Sequence, residues 1–252
     1  MKISTVISYC SNDKDFINDC IFHAKPFSTQ VAVATCTHFF DGQPEDTAGI
    51  LETVKQNYPI QYAVFPFTGD RPTYGHWHNR MRAYAWQALT IPTDWVLFLD
   101  ADEIIDTDKF MYWINHFDLT KFSAYRILGY WYFRDTCWQA NQIEEVAVLT
   151  RWNKCNFEYL DNCPGERFGL LDAQSQRNVA DTFNQPMFHH YSWARTKEGM
   201  LRKVKSWGHS GNMPWADLIE KEFKREFNET CKDFVHNYSF KKVEPFINVR
   251  IA

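Results

Sequence analysis

The residues best suited to chemistry are Leu99-Asp100-Ala101-Asp102-Glu103-Ile104, where two aspartates stand one residue apart after the apolar run WVLFL at 95–99. Five apolar residues in a row suit a strand buried on both faces of a parallel sheet. Such a strand delivers its carboxylates to the carboxyl edge, where open α/β sheets bind ligands. Carboxylates this close repel one another and call for a cation. A hard divalent ion, Mg2+ or Mn2+, meets that need and shares its remaining positions with phosphate oxygens. The plainer reading of the same residues is a solvated acidic turn.

Positioning those carboxylates requires the elements before them to form one sheet. Residues 3–9 are β-branched and apolar, and Ser11-Asn12-Asp13 supplies turn and N-cap chemistry. Phe16, Cys20 and Ala24 recur every four residues, a helical stripe over 14–24. A second strand at 30–36, a helix at 46–58 ended by Pro59, a third strand at 60–65 and a helix at 76–89 follow. This alternation predicts a doubly wound α/β layer. Beyond residue 105 the pattern changes. A helix at 107–117 precedes long strands at 124–133 and 145–152, and a polar loop region runs between Phe157 and Gln185. Two helical faces close the chain, one on Met200, Leu201, Val204 and Trp207, the other on Ile219, Phe223, Phe227, Cys231 and Phe234. One domain over 1–252 is expected, divided into halves at 1–105 and 106–252.

Composition narrows the function classes. The chain has 252 residues, enough to bury a substantial core. Its 27 basic and 31 acidic side chains argue against a nucleic-acid binder, which needs a basic surface. No apolar run reaches the roughly 18–20 residues that a membrane span needs. The N-terminus has no signal-type apolar stretch and the seven cysteines form no C-x-x-C pair, so reduced thiols and a cytoplasmic chain are expected. Aromatic residues make up 17% of the chain, and those in Tyr130-Trp131-Tyr132-Phe133, Trp138 and Trp193 are core rings first and sugar-stacking faces second.

The chain resembles GT-A glycosyltransferases, especially the family 2-like enzymes, over most of its length. The resemblance is carried by the D-x-D in VLFLDADE, by His78-Asn79-Arg80 upstream where the family commonly has an Asn-Arg pair, and by the opening ISYCSND. It departs at Thr35-Cys36-Thr37-His38, where family members often carry an acidic pair and this chain has Asp41 a little later. The resemblance implies a GT-A nucleotide-binding α/β/α sandwich with a mixed sheet and C-terminal helices. Its implied donor is a nucleotide-diphosphate sugar with Mn2+ or Mg2+, contacted by Ser8, Tyr9, Asp41, Asn79, Arg80, Asp100, Ala101 and Asp102. A C-terminal histidine on the metal is implied as well, from the pair His189-His190. Adjacent strand residues face opposite ways, and His190 is favoured because it leads into Tyr-Ser-Trp and a basic helix. The family's acidic catalytic motif is matched most nearly by Ile143-Glu144-Glu145-Val146, with Glu145 preferred as base, Glu144 beside it, and Asp161 and Glu166 in reserve.

Together these imply a metal-dependent hexosyl transfer, inverting by the resemblance, to a glycan, lipid-linked or protein acceptor. Residues 195–205 hold Arg195, Lys197, Arg202, Lys203 and Lys205 against the single acid Glu198. They could meet a diphosphate beside His190, with Lys197 best placed by sequence. A solvated helix face or peripheral contact with an anionic membrane are the alternatives. Two other functions use the same residues: a haloacid dehalogenase-type phosphohydrolase built on Asp100 and Asp102, and a non-catalytic sugar-nucleotide-binding protein that needs no base.

Overall fold

The computed structural model describes residues 1–67, 74–206, 211 and 213–249. Its centre is a mixed ten-stranded sheet in the order Gln61–Phe65, Ser28–Cys36, Ile3–Ser8, Trp95–Asp100, Trp138–Arg151, Ala124–Phe133, Phe188–Trp193 and Glu103–Ile105, with Phe240–Lys242 against Trp138–Arg151 and Gln176–Val179 against Ala124–Phe133. The first half alternates as its sequence predicts: β1 (Ile3–Ser8), α1 (Ile17–Ala24), β2 (Ser28–Cys36), α2 (Thr47–Asn57), β3 (Gln61–Phe65), α3 (Tyr74–Gln87) and β4 (Trp95–Asp100). β1 lies between β2 and β4, parallel to both, and all six of its residues are buried. Four of its six residues, Ile3, Thr5, Val6 and Ile7, are β-branched, as suits a doubly covered strand. Helices α1, α2 and α4 (Thr107–His116) pack on one face through Ile21, Leu51 and Phe110. Helix α3 and the short α5 (Phe157–Asp161) pack on the other through Ala83, Ala85 and Leu160. This is the expected α/β/α sandwich.

At β4 the sheet changes direction. β7 (Trp138–Arg151) pairs antiparallel with β4 and forms a long hairpin with β6 (Ala124–Phe133). The expected strand at 145–152 therefore begins seven residues earlier, at Trp138. Its exposed stretch 141–143 breaks the apolar pattern while cross-strand pairing continues on either side of it, and Glu144 and Glu145 lie inside the strand. Two further strands carry too few residues for any periodicity to reveal them: β5 (Glu103–Ile105) and β10 (Phe240–Lys242).

The region between Phe157 and Gln185 also contains more structure than its polarity suggests. It holds α5, a 3-10 turn over Glu166–Leu170, and β8 (Gln176–Val179). Gly169 makes that turn possible, because a Cβ there would lie 2.2 Å from the Pro164 carbonyl oxygen and 2.7 Å from Cys163 Sγ. Gly169→Ala must shift backbone rather than a flexible side-chain end, and a loss of about 1–3 kcal/mol is expected in denaturant melts.

The C-terminal region runs through β9 (Phe188–Trp193), α6 (Lys197–Ser206) and α7 (Trp215–Glu222). Trp207, placed on the first helical face, lies outside the described residues. The second predicted face is corrected: the helix ends at Glu222, and Phe227, Cys231 and Phe234 lie in irregular chain beyond it. Asn228 accepts from the Thr230 backbone N–H (3.0 Å), and Asp233 accepts from the N–H groups of Val235 and Tyr238 (2.7 Å each). Side-chain bonds of this type compete with helix formation. The aromatic rings still reach a common core from there, against Trp131, Phe133, Trp193 and Phe240. Trp131 and Tyr132 are both 1% exposed, so the prominent aromatic run is core.

Candidate active site

The site forms where β4 passes into β5. Asp100 ends β4, and the Ala101 N–H donates to the Ser8 carbonyl (3.0 Å) while its methyl enters the core. β5 then pairs antiparallel with β9, setting His190 opposite Glu103. The Tyr191 N–H donates to the Asp102 carbonyl (2.8 Å), which locks this register. Strand alternation separates the two histidines. His189 is buried, with Nδ1 on the Tyr132 hydroxyl (2.7 Å) and its ring stacked on Phe246. His190 faces a cleft of about 270 Å3 that Ser8, Tyr9, Asp100 and Asp102 also line.

The cleft's carboxylates are matched by cations from three separate segments. Arg82, on α3 and 1% exposed, lies 3.0 Å from Asp100 and 3.2 Å from Glu166. Arg167, on the turn that Gly169 permits, grips both oxygens of Glu103 and lies 3.6 Å from Asp100. Arg195 and Lys203, before and within α6, lie 3.1 and 3.3 Å from Asp102, and Arg195 continues to Asp13 (2.5 Å). Burial alone would raise the pKa of both aspartates. Arg167 and Arg82 outweigh it at Asp100, and Lys203, His190 and Arg195 at Asp102, so both carboxyls fall below their usual range.

Two hydroxyls of the cleft lack partners among the described residues. Ser8 Oγ and the Tyr9 hydroxyl are buried with no hydrogen bond to any described residue, which is costly unless a ligand completes them. Further along the wall, burial pushes Glu45 up to about 7, against the opposing hydrogen bond from the Ser11 N–H. A carboxyl raised in this way binds its proton more tightly folded than unfolded, so its contribution to stability falls as pH rises toward 7. Glu45→Gln removes that titration. Melting curves at about pH 5 and about pH 8 are expected to differ less in the variant than in the parent.

The catalytic candidates separate. Glu144 lines a second cavity of about 480 Å3 that meets the cleft at Glu103, Arg167, Phe168 and His190. Its oxygens lie 3.4 Å from His190 Nδ1 and 3.5 Å from His236 Nε2. Glu145 lines the same cavity, but its carboxylate is held by Arg126 (3.3 Å), Arg177 (2.5 Å) and the Asn178 N–H (3.1 Å). Asp161 pairs with Arg80 (3.1 Å), where α5 meets α3, so these two candidates occupy each other. Asn79 donates to the Cys163 carbonyl (2.5 Å), Lys197 pairs with Glu220 (2.7 Å), and Asp41 accepts from the Gln43 N–H in a turn (3.0 Å).

Arg82 and Arg167 escape a motif reading because they come from segments far from the D-x-D in sequence, whereas Glu103 and Asp13 stand inside the stretches VLFLDADE and ISYCSND, which assign them no role. Arg195 and Lys203 had a signal, since both belong to the basic stretch. Arg195 stands in the bend before α6 and Lys203 within the helix, and both turn to Asp102, whereas Lys197 pairs with Glu220.

For a divalent cation, the donor set fits two protein ligands. Among the described residues no group of three or more His, Cys, Asp or Glu side chains converges. Asp102 Oδ1 and His190 Nε2, however, face each other across 3.8 Å, while His190 Nδ1 is turned to Glu144. A carboxylate behind the far ring nitrogen is the usual support for a metal-bound imidazole. Mg2+ and Mn2+ commonly take few protein ligands and complete their shell with phosphate and water.

No protein-family model matches the chain, and no curated protein matches it. Solved structures do. The mannosyltransferase PcManGT from Pyrobaculum calidifontis, in complex with GDP-Man and Mn2+, aligns over 90% of this chain and 65% of its own at 8% identity, with TM-score 0.50. The glycosyltransferase GlyE of Streptococcus pneumoniae TIGR4 aligns over 89% and 64% at 13% identity, with TM-score 0.42. The galactosyltransferase LgtC, in complex with donor and acceptor sugar analogues, aligns over 86% and 95% at 14% identity, with TM-score 0.43. The chain thus spans slightly less than two thirds of the first two. At these identities the likeness concerns architecture, and that architecture is the GT-A fold of glycosyltransferases.

Proposed function

We propose that the protein is a glycosyltransferase that moves a hexose from a nucleotide-diphosphate sugar to an acceptor hydroxyl. The observation that carries this reading is the junction at His190 of two cavities. One is charged, with unpartnered polar groups, and suits a donor; the other contains a carboxylate and suits an acceptor. In the donor cleft, Ser8 and Tyr9 bind the nucleotide, and Lys203 and Arg195 face the diphosphate beside Asp102. Asp102 and His190 would hold the divalent cation, which when bound supplies charge for the leaving diphosphate. The cleft's own cations are fixed in place before reaction, so they stabilise developing charge without reorganising.

Glu144 is the better-placed base of the candidate pair. Burial would raise its pKa, but the bond from His190 and the nearby His236 and Tyr238 outweigh burial and hold it ionised at neutral pH. Arg177 and Arg126 likewise keep Glu145 ionised, but occupy the oxygens that a base would need. One displacement with Glu144 opposite the leaving group would invert the anomeric centre.

A thermal-shift panel of sugar nucleotides, with Mn2+ or with chelator, tests the reading. Saturating donor is expected to raise Tm by about 5–10 °C. A panel with no shift and no nucleotide release would sink it. Asp102→Asn is expected to weaken the Mn2+-dependent part of that shift at least about tenfold in metal affinity, read by Mn2+ titration at fixed donor.

A further inference from the structure

The second cavity has a wall that neither the reaction nor the D-x-D motif explains. Segment 233–238 follows no helix or strand, yet it is firmly built. Asp233, 4% exposed, accepts from the N–H groups of Val235, His236 and Tyr238, at 2.7, 2.5 and 2.7 Å. Asn237 takes the left-handed conformation, φ 61°, that such a tight turn needs. The turn presents His236 and Tyr238 with ring centroids 5.0 Å apart, and both side chains line the cavity with Glu144. At the rim, Ile143 is 47% exposed, an unusual place for a bare isoleucine.

Charge in the cavity restricts what can enter. Its lining carries three carboxylates, Glu103, Glu144 and Glu145, and four basic side chains, Arg126, Arg167, His190 and His236. Each of these is already committed, Arg126 to Glu145, Arg167 to Glu103, and His190 and His236 to Glu144. An incoming phosphate or carboxylate would meet three carboxylates and no uncommitted guanidinium. An uncharged sugar ring would meet what it needs: flat and apolar surface from Tyr238 and Ile143 for its C–H face, and a carboxylate acceptor for its hydroxyls. The volume suits one or two rings, within the roughly 300–1,000 Å3 typical of small-ligand sites.

We propose that this cavity takes the uncharged pyranose end of a glycan and discriminates against acceptors bearing phosphate or carboxylate. The inference names the acceptor class for the glycosyl transfer proposed above and rests on that reading, but sugar binding can be measured without turnover. Saturation-transfer NMR on the full chain would use methyl glucoside, galactoside and mannoside, lactose and cellobiose, with glucose 6-phosphate, glucuronate and glycerol 3-phosphate as anionic arms. At least one neutral sugar is expected to give a signal at least about tenfold stronger than any anionic arm. Tyr238→Ala and Ile143→Glu should each abolish it, and saturating nucleoside diphosphate should not. Ile143 is at the rim, so its variant keeps the test informative if Tyr238→Ala is poorly folded. Anionic sugars binding as well as neutral ones, a signal surviving both variants, or no neutral sugar binding would overturn the proposal. Donor thermal shifts on the same samples separate the two ideas. A donor shift without sugar binding defeats this inference alone, and sugar binding without any donor shift defeats the transferase reading alone.

Discussion

Arg167→Met is expected to lower the unfolding free energy by about 3–5 kcal/mol at neutral pH. The arginine is 5% exposed, and its guanidinium faces both oxygens of Glu103, itself 0% exposed, with Asp100 at 3.6 Å. Methionine fills similar space but leaves a carboxylate buried without its counter-charge. The deficit should depend on pH in a definite direction. Unpaired, Glu103 binds its proton more tightly folded than unfolded, so the variant loses stability relative to the parent as pH rises. Removing both charges, with Arg167→Met and Glu103→Leu together, should recover much of the loss, because an apolar pair carries no desolvation cost. Urea melts of the three proteins at about pH 5 and about pH 7 measure this. If the single variant is as stable as the parent at both, the buried pair does not exist as described.

Glu144→Gln is expected to slow sugar transfer by about 10²–10⁴-fold at saturating donor and Mn2+ while Tm changes little. The amide keeps the shape of the carboxylate and can still meet the rings of His190, His236 and Tyr238, but it cannot accept a proton at neutral pH. Glu145→Gln provides the internal comparison. That carboxylate supports Arg126 and Arg177, so its loss should appear mainly as a lower Tm. Turnover with each variant at saturating donor decides between the neighbours. A rate loss confined to Glu145→Gln would return the base role to the residue that the sequence motif favours.

The D-x-D strand shows how much could be read without coordinates. Five apolar residues followed by two aspartates specify a buried strand ending in charge, and the structure has that element. Alternation also says that only one of His189 and His190 can face the cleft, and the turn from His190 into the basic helix favours the second. The other half of the charge pattern could not be read. Arg167 sits in a polar loop whose path is decided by the close approach at Gly169, and no periodicity encodes it. Lys203 and Arg195 lay in a recognisable basic stretch, but which of its cations turn inward depends on how α6 meets β9 and the turn at 11–13. Segment 227–238 misled for a physical reason: aromatic residues spaced like a helix stripe are held in irregular chain by Asn228 and Asp233, whose side chains bond the backbone that a helix would use.

The tie between α6 and the opening turn bears on how the protein is made. Arg195 reaches Asp13, Arg202 reaches Asn12 (3.0 Å), and Asn12 reaches Ser206 (3.0 Å), contacts that span 182 to 194 residues. On a ribosome, Arg82 is already present when Asp100 emerges, but Asp13 and Asp102 appear long before Arg195 and Lys203, the cations that neutralise them. The nascent first half therefore carries two like charges that can be matched only after residue 203 has appeared. Contacts of such long range form late and slowly. Synthesis pauses after β4 should therefore leave a chain that is loose at the D-x-D edge and firm elsewhere, open to chaperones at the cleft proposed for the donor.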